Sequence, residues 1–161
     1  MSNRRPGLGR IWPCCLNCGT CRSTRLMFMT WPMKRPPGPG VFAGLASSCH
    51  IQLIGGSIVR RHDGCLYNTT YIVDEEVNRV SSYDKCHLFT PGGEEKVFAP
   101  GDHLNTFFLG DIPMASITCY DLRFGEWVRM AALAGARILF VPAAWPHPRL
   151  AHWQILNRPG Y

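Results

Sequence analysis

Hydrophobic and polar positions change their pattern near residue 50. Before this point, prolines and glycines interrupt any sustained helical or strand period, so we expect no packed element in residues 1–48. After it, alternating and apolar runs predict three consecutive strands, with turns at 61–64 and 74–78; the strands cover 51–59, 65–73 and 79–84. They form a meander with one buried face, and the third strand delivers Lys85 at its end.

The second half of the chain predicts a different arrangement. A loop rich in glycine and proline runs from Phe89 to Asp111 and contains a short strand over 105–109. It is followed by a strand over 112–118, a helix over about 124–134, a strand over 137–141 and the start of a second helix near 149. Strand, helix and strand in this order predict a parallel pair with a right-handed crossover. The fold class is therefore α/β.

Charge is distributed unevenly over the 161 residues. Residues 1–48 carry seven basic residues and no acidic one, whereas 49–161 carry ten basic and eleven acidic residues, so the net charge of +6 belongs to the first segment. We therefore predict an irregular, unstructured basic leader over 1–48, a domain over 49–158 and a short tail over 159–161. A nucleic-acid surface would extend over the folded part, so no nucleic-acid partner is expected.

The cysteines argue against a secreted disulfide framework. Four of the eight lie within residues 14–21, and the others are scattered. The spacing Cys15-x-x-Cys18-x-x-Cys21 is compatible with a zinc or iron–sulfur site, but no second pair at zinc-finger spacing accompanies it, so we expect no metal. No apolar run approaches the roughly 18 residues that span a bilayer, so no membrane is expected. Reduced thiols predict a cytoplasmic location.

One segment has the form expected around a nucleophile. An apolar strand ends at Cys119 and the chain then turns directly into a helix. Such a turn exposes its side chain at the edge of a sheet, and the first amides of the helix point toward negative charge that forms there. We expect the backbone N–H of Tyr120 to stabilise such charge, and a nearby lysine would lower the pKa of the thiol.

Four ordered motifs between His50 and Arg158 resemble the nitrilase superfamily of carbon-nitrogen hydrolases, and within it the omega-amidase-like branch. They are Tyr-Asp-Lys-Cys-His-Leu-Phe at 83–89, Phe-Ala-Pro-Gly-Asp at 98–102, Cys-Tyr-Asp-Leu-Arg-Phe-Gly-Glu at 119–126, and Pro-Ala-Ala-Trp-Pro at 142–146. The resemblance implies a layered αββα sandwich, present in part, and hydrolysis of a small non-peptide amide through a cysteine thioester. It implies a homo-oligomer if the domain is complete.

The resemblance also implies site roles. Cys119 would be the nucleophile, Lys85 the oxyanion stabiliser, and Glu94 the carboxylate that orients the lysine and the substrate. Trp145 follows a strand end and is expected to line the pocket. Such a mechanism requires no metal or organic cofactor.

Three neighbouring residues are expected to support this site. Arg123 and Glu126 are predicted to pair across one helical turn and to support the strand-to-helix turn at Cys119, which we call the elbow. His87 is predicted to be a hydrogen-bonded structural histidine.

Two departures from the family pattern leave other functions open. The family has a general-base glutamate well upstream of the lysine, but this chain has no acidic residue before Asp63, and Pro159 interrupts the family's next helix. We therefore expect a middle fragment of such a domain. The alternatives are a catalytically inactive fragment, or a metal- or nucleic-acid-binding leader on a degenerate domain.

Overall fold

A computed structural model describes residues 12–14, 26–29, 39–74 and 79–158. Eight strands are present in these ranges: β1 Trp12–Cys14, β2 Leu26–Met29, β3 Gln52–His62, β4 Cys65–Val73, β5 Arg79–Asp84, β6 Asn105–Leu109, β7 Ile112–Ser116 and β8 Ile138–Phe140. Three α-helices accompany them: α1 Pro39–Cys49, α2 Gly125–Leu133 and α3 Leu150–Leu156. Short 3₁₀ turns connect several of these elements, and those at Glu94–Lys96, Cys119–Arg123 and His147–Arg149 carry residues of the site.

The first sheet has the strand order β1-β2-β3-β4-β5. Strands β3, β4 and β5 form the predicted antiparallel meander, and β2 runs parallel to β3. The β3–β4 hairpin turns at Asp63 and Gly64, whose φ angles of 46° and 77° are both positive. An Asp-Gly pair tolerates this left-handed backbone, which matches the twist of the flanking strands. The hairpin fixes the register that places Lys85 just beyond β5.

The second sheet has the order β6-β7-β8. Strands β6 and β7 are antiparallel, whereas β7 and β8 are parallel and are connected through α2. The predicted strand-helix-strand unit is therefore confirmed. Because β7 and β8 are parallel, their carboxyl ends reach the same edge, where Cys119 and the segment 142–146 follow.

The two sheets pack face to face, with a helical layer outside each. Between them lie apolar side chains of both sheets: Ile54, Ile72, Phe107, Leu109, Met114 and Phe140. Helix α1 covers the outer face of the first sheet through Phe42 and Ala46. Trp127 of α2 and Trp153 of α3 pack on the outer face of the second sheet. The layers are those of an αββα sandwich, as predicted.

The expectation of no packed element in residues 1–48 is wrong, because the strands β1 and β2 and most of helix α1 lie there. Phe42 and Ala46 are one helical turn apart and almost fully buried, at 2% and 0% exposure. The Phe42 ring lies against Gly55 of β3, where an added Cβ would come within 2.7 Å of it. Apolar side chains at helical spacing and the free space above Gly55 therefore hold this helix on the sheet, despite the prolines before it.

Other sequence predictions for the ends fall outside the described residues. The Cys15-x-x-Cys18-x-x-Cys21 segment and the tail over 159–161 both lie there. Among the described residues, no helix has the length and apolar character needed to cross a bilayer.

Candidate active site

Cys119 lies at a strained corner after β7. Its φ of 50° is in the left-handed region, which non-glycine residues rarely adopt. The Cys119 amide donates to the Pro142 carbonyl at 2.9 Å, which fixes the corner to the segment after β8. The 3₁₀ turn Cys119–Arg123 follows the corner, so the chain does not enter a helix directly at Cys119. Helix α2 begins at Gly125, close to the predicted start near 124. The corner presents the thiol at the sheet edge.

Asp121 holds this corner from below. Its carboxylate is fully buried and accepts hydrogen bonds from the Thr118 amide at 2.8 Å and the Tyr83 hydroxyl at 2.7 Å. The amide and the Nδ1 of His87 both lie 2.8 Å from its other oxygen. The Thr118 side chain in turn accepts a hydrogen bond from the Asp121 backbone N–H, so the two residues form a capping box around Cys119. The carboxylate thus connects β5, the 85–89 segment and the elbow.

Lys85 and Glu94 form a buried ion pair beside the elbow. The Lys85 ammonium donates to Glu94 Oε2 at 2.6 Å, and the two side chains are only 4% and 14% exposed. The side-chain carboxamide of Asn68 donates to the other carboxylate oxygen, Oε1, at 2.7 Å, and the backbone N–H of Phe89 donates to Oε2 at 2.6 Å. These donors fix both oxygens of the carboxylate, which in turn holds the lysine in place.

This environment keeps Glu94 ionised. Burial by itself raises the pKa of its carboxyl group, but the hydrogen bonds from Lys85, Phe89 and Asn68 outweigh burial. The pKa of Glu94 therefore lies below its ordinary value. The lysine consequently has a stable counter-ion at neutral pH.

The Cys119 thiol is shifted in the opposite direction. Burial raises its pKa above the ordinary thiol value, and the charge of Lys85 and a backbone hydrogen bond from Ala144 only partly offset this. The negative charges of Glu94 and Asp121 add to the increase. Lys85 is thus the side chain that favours the thiolate, and the resting thiol is protonated at neutral pH.

A pocket of about 530 Å³ connects these groups, a size that suits a small molecule. Cys119, Lys85 and Glu94 all line it, as do the predicted pocket residues Tyr120 and Trp145. The Trp145 indole donates to the Arg149 carbonyl at 2.8 Å, and the Tyr120 ring packs edge-on against Phe89 at 5.0 Å. The lining thus combines the polar groups of Cys119, Lys85 and Glu94 with aromatic rings.

The predicted Arg123–Glu126 pair is not formed. Glu126 pairs instead with Arg129, and the Arg123 Nη2 lies 2.6 Å from His152 Nδ1. The reason is that Arg123 belongs to the 3₁₀ turn, whereas α2 begins at Gly125, so the two residues do not share one helical face. Arg123 lines the pocket, and Glu126 is exposed outside it.

His87 has the structural role that the sequence predicts. Its ring nitrogen is bonded to Asp121, and the ring stacks on Phe124 with centroids 3.7 Å apart.

Four residues of the site were missed from the sequence: Asn68, Asp121, Arg149 and His152. A signal existed for Asp121, because Thr118-x-x-Asp121 is a capping-box spacing. The others come from elements whose alignment around the pocket only the tertiary structure reveals. Among the described residues, no cluster of three or more histidine, cysteine or acidic side chains has the geometry to hold a metal ion.

The αββα layers are the fold of the nitrilase superfamily. Residues 41–159 match the carbon-nitrogen hydrolase family, and the chain belongs to that family.

Two curated relatives and one solved structure show the nature of the similarity. The chain is 38% identical over 106 residues to 2-oxoglutaramate amidase of Bacillus subtilis (strain 168), covering 66% of this chain and 41% of the relative. It is 37% identical over 125 residues to omega-amidase NIT2 of Homo sapiens, covering 71% and 44%. The crystal structure of Saccharomyces cerevisiae Nit3, of branch 10 of the nitrilase superfamily, matches with a TM-score of 0.67 and 27% identity over 77% of this chain and 46% of that one. The chain therefore spans less than half the length of these relatives.

Proposed function

We propose that this domain is an amidase that cleaves a small non-peptide amide through a thioester on Cys119. The observation that carries the proposal is the convergence of one half-buried thiol and one buried lysine–glutamate pair on a single pocket. Family membership supports amide hydrolysis as the reaction, and the named amidase relatives support an omega-amide as the substrate.

The reaction divides into two steps. The Cys119 sulfur attacks the amide carbonyl, and the oxyanion that forms is stabilised by the Lys85 ammonium and by the Tyr120 amide. The C–N bond then breaks, the proton of the Cys119 thiol passes to the departing nitrogen, ammonia leaves, and a thioester remains. Water attacks the thioester carbonyl and the C–S bond breaks; one proton of the water returns to the sulfur, and the other is released to solvent with the carboxylate. Glu94 positions Lys85 throughout, and no metal or organic cofactor takes part.

A second candidate, a domain without turnover, is favoured by the position of the carboxylates. Both oxygens of Glu94 already accept hydrogen bonds, and residues 1–62 contain no acidic side chain. The raised pKa of Cys119 means that a base must remove its proton before attack. In this candidate, the domain binds the amide without cleaving it.

The setting of the activity is also proposed. The partner is a small-molecule amide, with no nucleic acid or membrane, and the active form is a homo-oligomer. A cytoplasmic location suits the nucleophile, which must stay reduced, and Cys49, Cys65, Cys86 and Cys119 are free thiols.

Ammonia release from a panel of small omega-amides tests the proposal. We expect release by the unmodified chain and its loss in Cys119→Ala and in Lys85→Ala. Glu126→Gln is the matched control, since Glu126 is exposed and lies outside the pocket, and it should leave release unchanged.

Silence from a folded chain in this assay would refute the amidase and support the domain without turnover. Intact mass spectrometry adds a second readout, because a thioester that forms but is not hydrolysed appears as an acyl adduct on the Cys119 peptide. Release that persists in Cys119→Ala would place the chemistry elsewhere.

A further inference from the structure

Asn68 contacts both members of the buried ion pair. It lies on β4, and its backbone carbonyl accepts a hydrogen bond from the Lys85 N–H at 2.9 Å. Its side-chain carboxamide donates to Glu94 Oε1 at 2.7 Å. One residue of a strand therefore fixes the backbone of the lysine and also the side chain of the glutamate, which follows nine residues later in a 3₁₀ turn.

The Asn68 carboxamide serves Glu94 as a hydrogen-bond donor. An ionised carboxylate accepts hydrogen bonds and donates none, so its chemistry assigns Asn68 Nδ2 to this contact. The other half of the carboxamide is not used in this way, because Asn68 Oδ1 is buried and accepts no hydrogen bond from the residues that the structure describes. A buried unsatisfied oxygen lowers stability. Donation to Glu94, rather than a general contribution to the fold, is therefore the role that this side chain performs.

The donors to Glu94 are divided between its two oxygens. Oε2 accepts from the Lys85 ammonium and from the Phe89 N–H, whereas Oε1 accepts from Asn68. Without Asn68, Oε1 would lose this donor in a largely buried site, and rotation of the carboxylate toward its remaining donors would move the ammonium with it. The attraction between the ammonium and the Cys119 thiolate depends on their separation, so such a movement would weaken the support for the ionised sulfur.

We propose that Asn68 is a positioning residue of this pocket, which holds the Lys85–Glu94 pair in the geometry that lets the ammonium act on Cys119. Its part in amide cleavage rests on the proposed function, but the placing of the lysine beside the thiol does not. The effect of Asn68 on the sulfur is indirect and passes through Lys85. It should therefore disappear when the lysine is absent.

A double-mutant cycle on the alkylation of Cys119 tests this role without requiring turnover. Iodoacetamide is added to the full chain at pH 8, and modification of the peptide that contains Cys119 is followed by mass spectrometry, since the chain holds eight cysteines. We expect Asn68→Ala to slow alkylation about fivefold. In a chain that already carries Lys85→Ala, the same substitution should slow alkylation further by less than about twofold.

Two further variants separate positioning from packing. Asn68→Leu keeps a side chain of similar size but has no donor, so it should slow alkylation as much as Asn68→Ala does. Thr69→Val is the matched control, because Thr69 follows on the same strand and donates to Asp84 instead of the ion pair. It removes one buried hydrogen bond and should leave the alkylation rate unchanged. Circular dichroism checks that each variant is folded.

The outcomes separate the positioning role from the amidase. An unchanged rate in Asn68→Ala or in Asn68→Leu overturns the positioning role, and so does a second slowing of about fivefold in the Lys85→Ala background. Equal slowing in Thr69→Val also overturns it, since weakened strand packing would then be the cause. Coupling between Asn68 and Lys85 in a chain that releases no ammonia supports the positioning role and refutes the amidase, whereas ammonia release without the coupling does the reverse.

Discussion

Replacement of Asp121 should destabilise the domain more than replacement of any residue in the pocket wall. Its fully buried carboxylate accepts hydrogen bonds from Thr118, Tyr83 and His87. Asp121→Ala leaves these buried donors without an acceptor, and each unsatisfied group costs about 1 to 3 kcal/mol. Because the groups relax in part, we expect a loss of about 3 to 5 kcal/mol in the free energy of unfolding.

Asp121→Asn isolates the role of the negative charge. The carboxamide keeps the shape but turns an NH₂ group toward donors, so we expect a loss of about 2 kcal/mol. Urea unfolding followed by tryptophan fluorescence measures both variants, and Trp127, which donates to Tyr83 at 3.2 Å, reports from beside the carboxylate. Asp102→Asn is the control, because Asp102 is 95% exposed and should leave the midpoint unchanged. A loss below about 1 kcal/mol in Asp121→Ala would refute the reasoning, since it would mean that the buried donors find other partners.

Three further predictions concern the lysine, its counter-ion and a nearby glycine. Lys85→Ala removes the charge that favours the thiolate, so iodoacetamide should alkylate Cys119 about tenfold more slowly at pH 8; an equal or faster rate would contradict this. The pKa of Glu94 is lower in the folded state, so its contribution to stability is full above the unfolded pKa and is lost as the pH falls through the folded pKa. Urea unfolding at a series of acidic pH values should therefore show a smaller fall in the free energy of unfolding for Glu94→Gln than for the unmodified chain. An equal fall in the two proteins would contradict this. Gly101→Ala brings a Cβ within 2.1 Å of the Asp84 carbonyl oxygen and should lower the free energy of unfolding by about 3 kcal/mol. Gly44→Ala in α1, where space is open, should raise it by about 0.5 kcal/mol. Similar unfolding midpoints for the two variants would contradict the packing argument.

The sequence predicted the strands and the crossover unit because their signals are local. Alternation over β4 and the Asp63–Gly64 turn specify a hairpin without reference to the rest of the chain. The α1 helix was missed for the opposite reason. Its spacing of Phe42 and Ala46 becomes meaningful only against Gly55, which a tertiary contact brings beneath it.

The site was predictable in its chemistry but only partly in its contacts. Motif resemblance proposed Lys85 and Glu94 for one site, and the structure places them in contact through a loop whose path no periodicity specifies. Helical spacing predicted an Arg123–Glu126 pair, but a 3₁₀ turn does not preserve α-helical faces. The role of the Asp121 carboxylate was missed because a carboxylate in a capping box ordinarily lies at the surface, whereas this one is buried beneath the elbow.

The position of the elbow depends on how the two sheets align. Lys85 follows β5 of the first sheet, whereas Cys119 follows β7 of the second, so no single strand fixes their separation. Buried polar contacts join the two sheets at this end: the Thr70 and Thr118 hydroxyls are 3.1 Å apart, and the Tyr83 hydroxyl donates to Asp121 at 2.7 Å. Directional hydrogen bonds specify a relative position that apolar packing alone leaves free to slide. The buried polar groups beneath the pocket therefore set the alignment of thiol and lysine on which the proposed chemistry depends.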